Sequence, residues 1–240
     1  MTSISFSVTD WCASAPGLFT PEEWCAWAAS GTPVNPKLPL RRPSHLSPMT
    51  GRRLSKGARL AVECALEAAG EIAPSYVIFA SRHAELPRNE KLLTALALGE
   101  DVSPADFTMS VHNAAAGSLT IHAKSRAPHA SIAAGADTFA AALAEAAAAM
   151  ADGKKTVLLA AFENELPPVL GSSFALQTGK WPWAAAFLLE PGTEFTGAAS
   201  PARPAEPAEE PALQFLRGFL SGASSFGVAS GSAFWRWSRR

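Results

Sequence analysis

The chain has 240 residues and a formal net charge of −1, with 48% of its residues hydrophobic and 17% charged. This length suits one large domain, or one domain with a tail, and the near-neutral balance excludes a bulk field that favours nucleic acid or a membrane surface. The three cysteines, Cys12, Cys25 and Cys64, have neither metal-ligand spacing nor a disulfide pattern, so we expect reduced thiols in a cytoplasmic protein.

The first part of the chain alternates predicted strands and helices. Residues 3–8 alternate polar and apolar side chains, as in a strand. A helix is predicted to start at Thr20, which can cap it, followed by Pro21 at its first position and Glu23 to complete a capping box. Further predicted elements are a proline-rich loop at 32–48, helices at 56–69, 89–98 and 110–123, and strands at 76–80 and 130–134.

A nearly pure alanine helix follows at 137–151, with strands at 156–162 and 183–189. This alternation predicts an α/β fold with a mostly parallel sheet that is covered by helices on both faces. Small side chains on all sides of the alanine helix predict that it packs closely against several neighbours, as a helix in the middle layer of a layered fold does.

Residues 191–211 change in composition to proline, alanine and glutamate, which is typical of a flexible linker or an extended surface loop. We therefore expect a main domain at 1–190, a linker or loop at 191–211, and a C-terminal segment at 212–240. The aromatic residues near the end of that segment favour docking back on the domain. A contact with a partner protein is the alternative.

The junction at 131–138 is the most informative part of the sequence. A strand of small residues runs straight into the alanine helix, which is the kind of corner where many α/β enzymes place a nucleophile. Here the corner carries Gly135 and Ala136, and alanine has no lone pair with which to attack a substrate. Common phosphate-binding, zinc-protease and serine-hydrolase motifs are absent, and no histidine follows His129.

Three strings carry a resemblance to a known family: SRHAEL at 81–86, SVHNAAAGSLTI at 110–121 and SIAAGADT at 131–138. They resemble the N-terminal half of beta-ketoacyl-acyl-carrier-protein synthases, and the match between Ser131 and Glu163 runs without a gap. The whole chain resembles a narrower group, the chain length factors of aryl-polyene-type systems. Each string alone is a weak signal, and together they are fairly specific.

The resemblance implies a thiolase-like α/β fold, truncated to roughly the N-terminal half of the layered αβαβα sandwich. It places Ala136 where the family has its acyl-accepting cysteine, and the family's two catalytic histidines belong to the missing second half. We therefore expect a catalytically inactive subunit without a metal or another cofactor. It would form a heterodimer with a complete ketosynthase and shape the acyl pocket in aryl polyene, fatty acyl or polyketide biosynthesis. An acyl carrier protein would bind through that partner.

The resemblance also implies where the interface lies. In ketosynthases the strand before the cysteine pairs with its mate across the dimer axis, and the position matching Val111 lies at the interface and limits acyl length. Ordinary core packing is the alternative for Val111, Phe107 and Met109. The candidate acyl-pocket and interface residues are Phe107, Met109, Val111, His112, Asn113, Ile132, Ala134, Gly135, Ala136, Asp137 and Thr138.

Two other functions stay open from the sequence. One is an acyltransferase or thioesterase that uses His83, His112 or Ser131, and the other is a homodimeric scaffold without acyl contact. A run of basic residues either meets an acidic carrier protein or forms a solvated face with internal ion pairs. That run comprises Arg41, Arg42, Arg52, Arg53, Lys56 and Arg59.

Overall fold

The computed structural model describes residues 3–171, 180–203 and 207–240. The strands are β1 (Ser3–Ser14), β2 (Tyr76–Ala80), β3 (His129–Ile132), β4 (Val157–Glu163), β5 (Trp183–Pro201), β6 (Ser225–Ala229) and β7 (Ala233–Arg239). The helices are α1 (Pro21–Ser30), α2 (Pro48–Arg53), α3 (Lys56–Ala69), α4 (Leu86–Leu98), α5 (Pro104–Thr108), α6 (Ala114–His122), α7 (Thr138–Ala151), α8 (Pro168–Gly171) and α9 (Pro211–Leu220).

Helix α1 begins where the sequence predicts. The Thr20 hydroxyl accepts the N–H of Glu23 at 3.3 Å, and the Glu23 carboxylate accepts the N–H of Thr20 at 2.9 Å. These two bonds satisfy N–H groups that have no partner inside the helix. Trp24 and Trp27 are buried, so the helix is held by its aromatic face as well as by its cap.

The strands form one sheet in the order β3-β2-β4-β5-β7-β6, and β1 pairs with β5. Strand β2 is parallel to β3 and to β4, and the other pairs are antiparallel. The prediction of a mostly parallel sheet is therefore wrong. A parallel return from β4 needs a long crossover, usually a helix, and the described part of the β4–β5 connection holds only the short α8.

The sheet separates two hydrophobic cores. Helices α3 and α6 cover one face, and α1, α7 and α9 cover the other. Helix α7 buries Phe139, Ala142, Leu143 and Ala146 at helical spacing, whereas Ala144 on its far side is exposed. The prediction that this helix packs against several neighbours is confirmed, because α7 contacts α9 and the five strands β1 to β5. The comparison with a helix in a middle layer is wrong, because no described element packs over its far side.

The predicted linker at 191–211 is wrong for residues 191–201, which continue strand β5. The second half of β5 pairs with β1 on one side and β7 on the other. Residues 204–206 of the predicted linker lie outside the described residues. The C-terminal segment forms α9, β6 and β7, and its buried side chains belong to the core of the main sheet.

Strand β3 lies at the edge of the sheet, and its only partner in the described chain is β2. The corner at Ala136 follows β3 directly. In the residues that the structure describes, no helix combines the length and the apolar character that crossing a membrane requires.

Candidate functional site

The candidate site lies at the carboxyl ends of the three parallel strands. Residues 81–83 follow β2, residues 133–136 follow β3, and residues 163–164 end β4. Because parallel strands end at the same edge of a sheet, the topology brings these three segments together. Ligands of open α/β sheets bind at such an edge.

Thr138 holds the corner in shape. Its buried hydroxyl accepts the N–H of Ala134 at 2.9 Å and donates to the carbonyl of Gly135 at 2.7 Å. Gly135 has a φ of +58°, which favours glycine because it has no Cβ. The turn leaves Ala134 and Gly135 exposed and Ala136 half-buried. The corner therefore presents backbone and methyl groups, with no side chain that can act as a nucleophile.

Asp137 starts α7 without capping it. Its carboxylate accepts the hydroxyl of Ser230 and the N–H of Ser232, the latter at 3.0 Å, both from the turn between β6 and β7. Burial alone raises the pKa of Asp137, but these hydrogen bonds and that from the N–H of Gly231 outweigh it and lower the pKa below its ordinary value. No local sequence pattern indicates this contact, since the partners lie more than 90 residues away.

Glu163 ends β4 as a buried carboxylate. It accepts the hydroxyl of Ser81 at 3.1 Å, the N–H of His83 at 3.1 Å and the N–H of Arg82. Burial, together with the nearby carboxylate of Glu210, raises the pKa of Glu163 well above its ordinary value despite these donors. Glu163 thus ties the loop after β2 to the end of β4, a role that sequence reasoning missed.

Asn164 ties helix α3 to the same edge. Its side-chain oxygen accepts the N–H of Gly57 at 2.7 Å, and its NH₂ group donates to the Ser55 hydroxyl at 3.0 Å and to the Ala84 carbonyl at 2.8 Å. Both N–H donors and the oxygen of its side chain have partners within the chain, so Asn164 acts as a structural link. The polar pair that ends the apolar run 157–162 was the available signal for both missed residues.

A second polar cluster joins α4 and α5 to this edge. Glu85 accepts the Ser55 hydroxyl at 2.7 Å and lies beside Arg88, and burial raises the pKa of its carboxyl. The carboxylate of Asp106 accepts hydrogen bonds from Arg88 and from Lys91, the latter at 2.6 Å. The hydrogen bond from Lys91 is the main cause of a pKa of Asp106 below its ordinary value. These carboxylates are occupied by partners within the chain.

The geometry does not assemble a nucleophile and a base from the other candidates. The Nε2 atom of His112 lies 2.9 Å from the carbonyl oxygen of Ser81. Because a carbonyl only accepts, that nitrogen carries a proton and donates it. The buried hydroxyl of Ser131 has no hydrogen-bond partner among the described residues. An activated serine needs an adjacent base, so the arrangement does not support the acyltransferase or thioesterase alternative.

The remaining candidates divide into two groups. Phe107 and Val111 are 67% and 49% exposed, so they are surface residues of this chain and not core residues. Asn113 is exposed at the start of α6. Met109 packs partly against the α3 side of the sheet, and Ile132 packs partly against the α7 side. The structure thus gathers Ala134 to Thr138 in the corner and leaves Phe107, Val111 and Asn113 facing outward.

Part of the predicted basic run is paired within the chain. Arg41 lies 2.6 Å from Glu67, and Lys56 lies 3.8 Å from Glu165. These pairs are typical of a solvated face with internal ion pairs. Within 3–171, 180–203 and 207–240, no group of three or more His, Cys, Asp or Glu side chains is placed to hold a metal ion.

The comparison with models of protein families shows the family of the chain. The model of the beta-ketoacyl synthase N-terminal domain matches residues 24–238. The chain belongs to the beta-ketoacyl synthase family. The family predicted from the three sequence strings is therefore confirmed, and the Ala136 corner of this beta-ketoacyl synthase domain lies inside the matched range.

Solved structures of beta-ketoacyl synthases agree with this assignment. A chain in the complex of the ketosynthase ApeO with its chain length factor ApeC, from Xenorhabdus doucetiae, is 39% identical. The superposition has a TM-score of 0.95 and covers 98% of this chain and 100% of that chain. A search of curated proteins finds no match.

Two more distant structures show the same fold. The ishigamide ketosynthase/chain length factor is 15% identical, with a TM-score of 0.66 over 84% of this chain and 68% of that chain. A beta-ketoacyl synthase from Burkholderia phymatum STM815 is 12% identical, with a TM-score of 0.63 over 92% of this chain and 71% of that chain. The thiolase-like α/β fold, reduced to about its N-terminal half, is confirmed by these superpositions.

Proposed function

We propose that this beta-ketoacyl synthase domain is a chain length factor: a non-catalytic subunit that forms a heterodimer with a cysteine-bearing ketosynthase. The observation that carries the proposal is the open edge of β3, which leads directly into the Ala136 corner. The full-length likeness to a chain in a complex of a ketosynthase with its chain length factor supports it.

The β3 edge has the features of a strand that another chain completes. The carbonyls of Pro128 and Ile132 accept N–H groups from β2 or the residue after it, so alternation turns the backbone N–H and C=O of Ser131 to the free side. Unpaired strand edges are ready templates for pairing with another chain. Ile121 on the neighbouring α6 is 81% exposed, which adds apolar surface beside that edge.

The chemistry of the corner supports a non-catalytic role. Claisen condensation by a ketosynthase needs a thiolate at the corner, and this chain has the methyl group of Ala136 there. His112 is held by the carbonyl of Ser81. The condensing thiol and the acyl chain would therefore belong to the partner, in aryl polyene, fatty acyl or polyketide biosynthesis. The acyl carrier protein would bind the complex through that partner, and the unpaired cysteines favour a cytoplasmic location.

Val111 is proposed to face the acyl pocket of the partner. It is exposed just before α6, a helix that contacts β3, and it does not pack into either core. Replacing Val111 with Phe should shorten the acyl products of the complex, because a larger side chain fills part of the channel. Ile72→Phe, at an apolar position of similar exposure that is not a candidate pocket residue, serves as the control. Product lengths are read by mass spectrometry, and an unchanged profile for V111F contradicts the pocket role.

Co-expression with a cysteine-containing ketosynthase tests the proposed function. With an affinity tag on this chain, the ketosynthase should co-purify, and light scattering should give the mass of a heterodimer. A variant of the ketosynthase with its cysteine replaced by alanine should bind equally well, since the edge and not the thiol forms the contact. A stable monomer that turns over thioesters by itself would contradict the proposal, and a homodimer would favour the scaffold alternative.

A further inference from the structure

The C-terminal hairpin closes the corner of this chain from within. The turn between β6 and β7 consists of Ser230, Gly231 and Ser232, here called the stopper turn. It reaches across to the start of α7, where Asp137 accepts the Ser230 hydroxyl and the Ser232 N–H. Two hydrogen bonds to one carboxylate fix both the position and the orientation of the turn.

Gly231 lies directly against the side chain of Ala136. A Cβ added to Gly231 would come within 2.8 Å of the Ala136 methyl carbon and 3.2 Å of a carboxylate oxygen of Asp137. Real carbon–carbon contacts do not come so close, so the turn approaches the corner as far as a glycine allows. The turn can pack this closely because residue 231 has no side chain and residue 136 has only a methyl group.

The space left behind the corner is too small for an acyl group. The cavity lined by Ala136, Phe139, Trp183 and Glu163 measures about 20 Å³. That volume holds about one water molecule, whereas ligand pockets measure roughly 300–1,000 Å³. The start of α9, at residues 210–212, also lines this cavity. An acyl chain that approaches the Ala136 methyl would therefore meet α9 on one side and the stopper turn, through Gly231, on another.

We propose that the stopper turn excludes acyl groups from the Ala136 corner, with Asp137 and Gly231 as the residues that position it. Two features then prevent acyl chemistry at this corner: residue 136 has no thiol, and the stopper turn covers its side chain. The consequence rests on the proposed function: in the heterodimer, the acyl pocket that this chain shapes lies toward Val111 and the β3 edge, outside its own corner.

Alkylation of an introduced thiol tests the stopper turn. The variant A136C places a sulfur in the corner, and iodoacetamide forms a sulfur–carbon bond with its thiolate and releases iodide. The exposed Cys25 gives the reference rate for an open thiol, and the buried Cys12 and Cys64 report whether the fold is intact. Peptide mass spectrometry of the full chain follows each site separately. We expect the introduced thiol to react about tenfold more slowly than Cys25, or slower still, because reagent access limits thiol reactivity.

Second-site changes identify the turn as the cause. In the A136C background, G231A should raise the alkylation rate of the introduced thiol about tenfold, because the added Cβ forces the turn away from the corner. S230A should raise the rate less, because it removes only one hydrogen bond to Asp137. S200A, which removes a hydroxyl bonded to the Phe234 carbonyl in the same sheet, should have no effect. Cys64 should stay unreacted in every variant, and its alkylation would indicate unfolding. If G231A unfolds the chain in this way, D137N is the milder change. We expect D137N to raise the alkylation rate of the introduced thiol while Cys64 stays unreacted.

Two results would overturn the proposal. One is an introduced thiol that reacts as fast as Cys25, which would mean that the corner is open. The other is protection that none of G231A, S230A and D137N relieves, which would mean that something other than the turn excludes the reagent. Both are distinct from failure of the proposed function, because the chain is assayed here without its partner and co-purification is measured separately.

Discussion

Replacing Phe215 with alanine should lower the free energy of unfolding by about 3–5 kcal/mol, the usual cost of removing a large aromatic side chain from a core. Phe215 on α9 is 1% exposed, and its ring centroid lies 5.1 Å from that of Trp237 and 5.6 Å from those of Phe139 and Phe187. These rings come from the C-terminal segment, from α7 and from β5. The change therefore removes contacts that join the segment at 212–240 to the main sheet.

Phe107→Ala is the matched control for this experiment, because it removes the same side chain from an exposed position. Its effect should stay within about 0.5 kcal/mol. Urea unfolding followed by tryptophan fluorescence measures both variants. A loss below about 1 kcal/mol for F215A would contradict the packing of α9, since a fully buried phenylalanine cannot be removed so cheaply.

Replacing Ser131 with proline should abolish co-purification with the ketosynthase while leaving this chain folded. Proline has no N–H, and alternation along β3 turns the Ser131 N–H away from β2, so the existing β2–β3 hydrogen bonds are kept. The partner strand would lose a donor and meet the proline ring. We expect the affinity to fall by about 100-fold or more, which is roughly 2.7 kcal/mol.

Ser131→Ala separates the backbone from the side chain. The Ser131 hydroxyl is buried without a hydrogen bond among the described residues, so its removal should leave both binding and stability nearly unchanged. Affinity is measured by titration of the purified ketosynthase, and circular dichroism checks the fold of each variant. Binding by S131P at the wild-type level would show that the heterodimer does not use the β3 edge.

Local features of the fold were predictable from the sequence. The capping box at Thr20 needs only residues within four positions, and the short apolar run at 76–80 is typical of a strand that is buried on both faces. The Ala136 corner was also predictable, because a strand of small residues meets a helix there and the family resemblance fixes the register. These features depend on neighbours in the sequence, so sequence patterns carry them.

The first half of β5 was predicted as a strand at 183–189, but its continuation to Pro201 was missed for a physical reason. Pro191 and Gly192 read as the start of a linker, but residues 191–194 fall where the register with β1 shifts and have no paired partner there. Proline is tolerated at such irregularities because no ladder hydrogen bond is lost. The hairpin of β6 and β7 was a clearer omission, since buried Trp235 and Trp237 alternate with exposed Arg236.

The polar contacts of the site were beyond sequence reasoning. Asp137 and the stopper turn, or Asn164 and Gly57, are far apart in the chain, and no spacing rule links them. By contrast, the antiparallel orientation of β5 and β4 could have been predicted, because no helical pattern lies between the two strands. What the sequence could not supply is which distant groups satisfy each buried polar side chain.

This chain should contribute a surface and not a reacting group to the heterodimer, and an assay of condensation by each subunit and by the pair distinguishes the two roles. The heterodimer obtained by co-expression, each subunit alone, and a heterodimer whose ketosynthase has its cysteine replaced by alanine are assayed for carbon–carbon bond formation from acyl and malonyl carrier-protein thioesters. We expect condensation by the intact heterodimer, none by this chain alone, and loss of condensation when the partner's cysteine is replaced. Condensation by this chain alone, or by the heterodimer that lacks the partner's cysteine, would contradict this expectation.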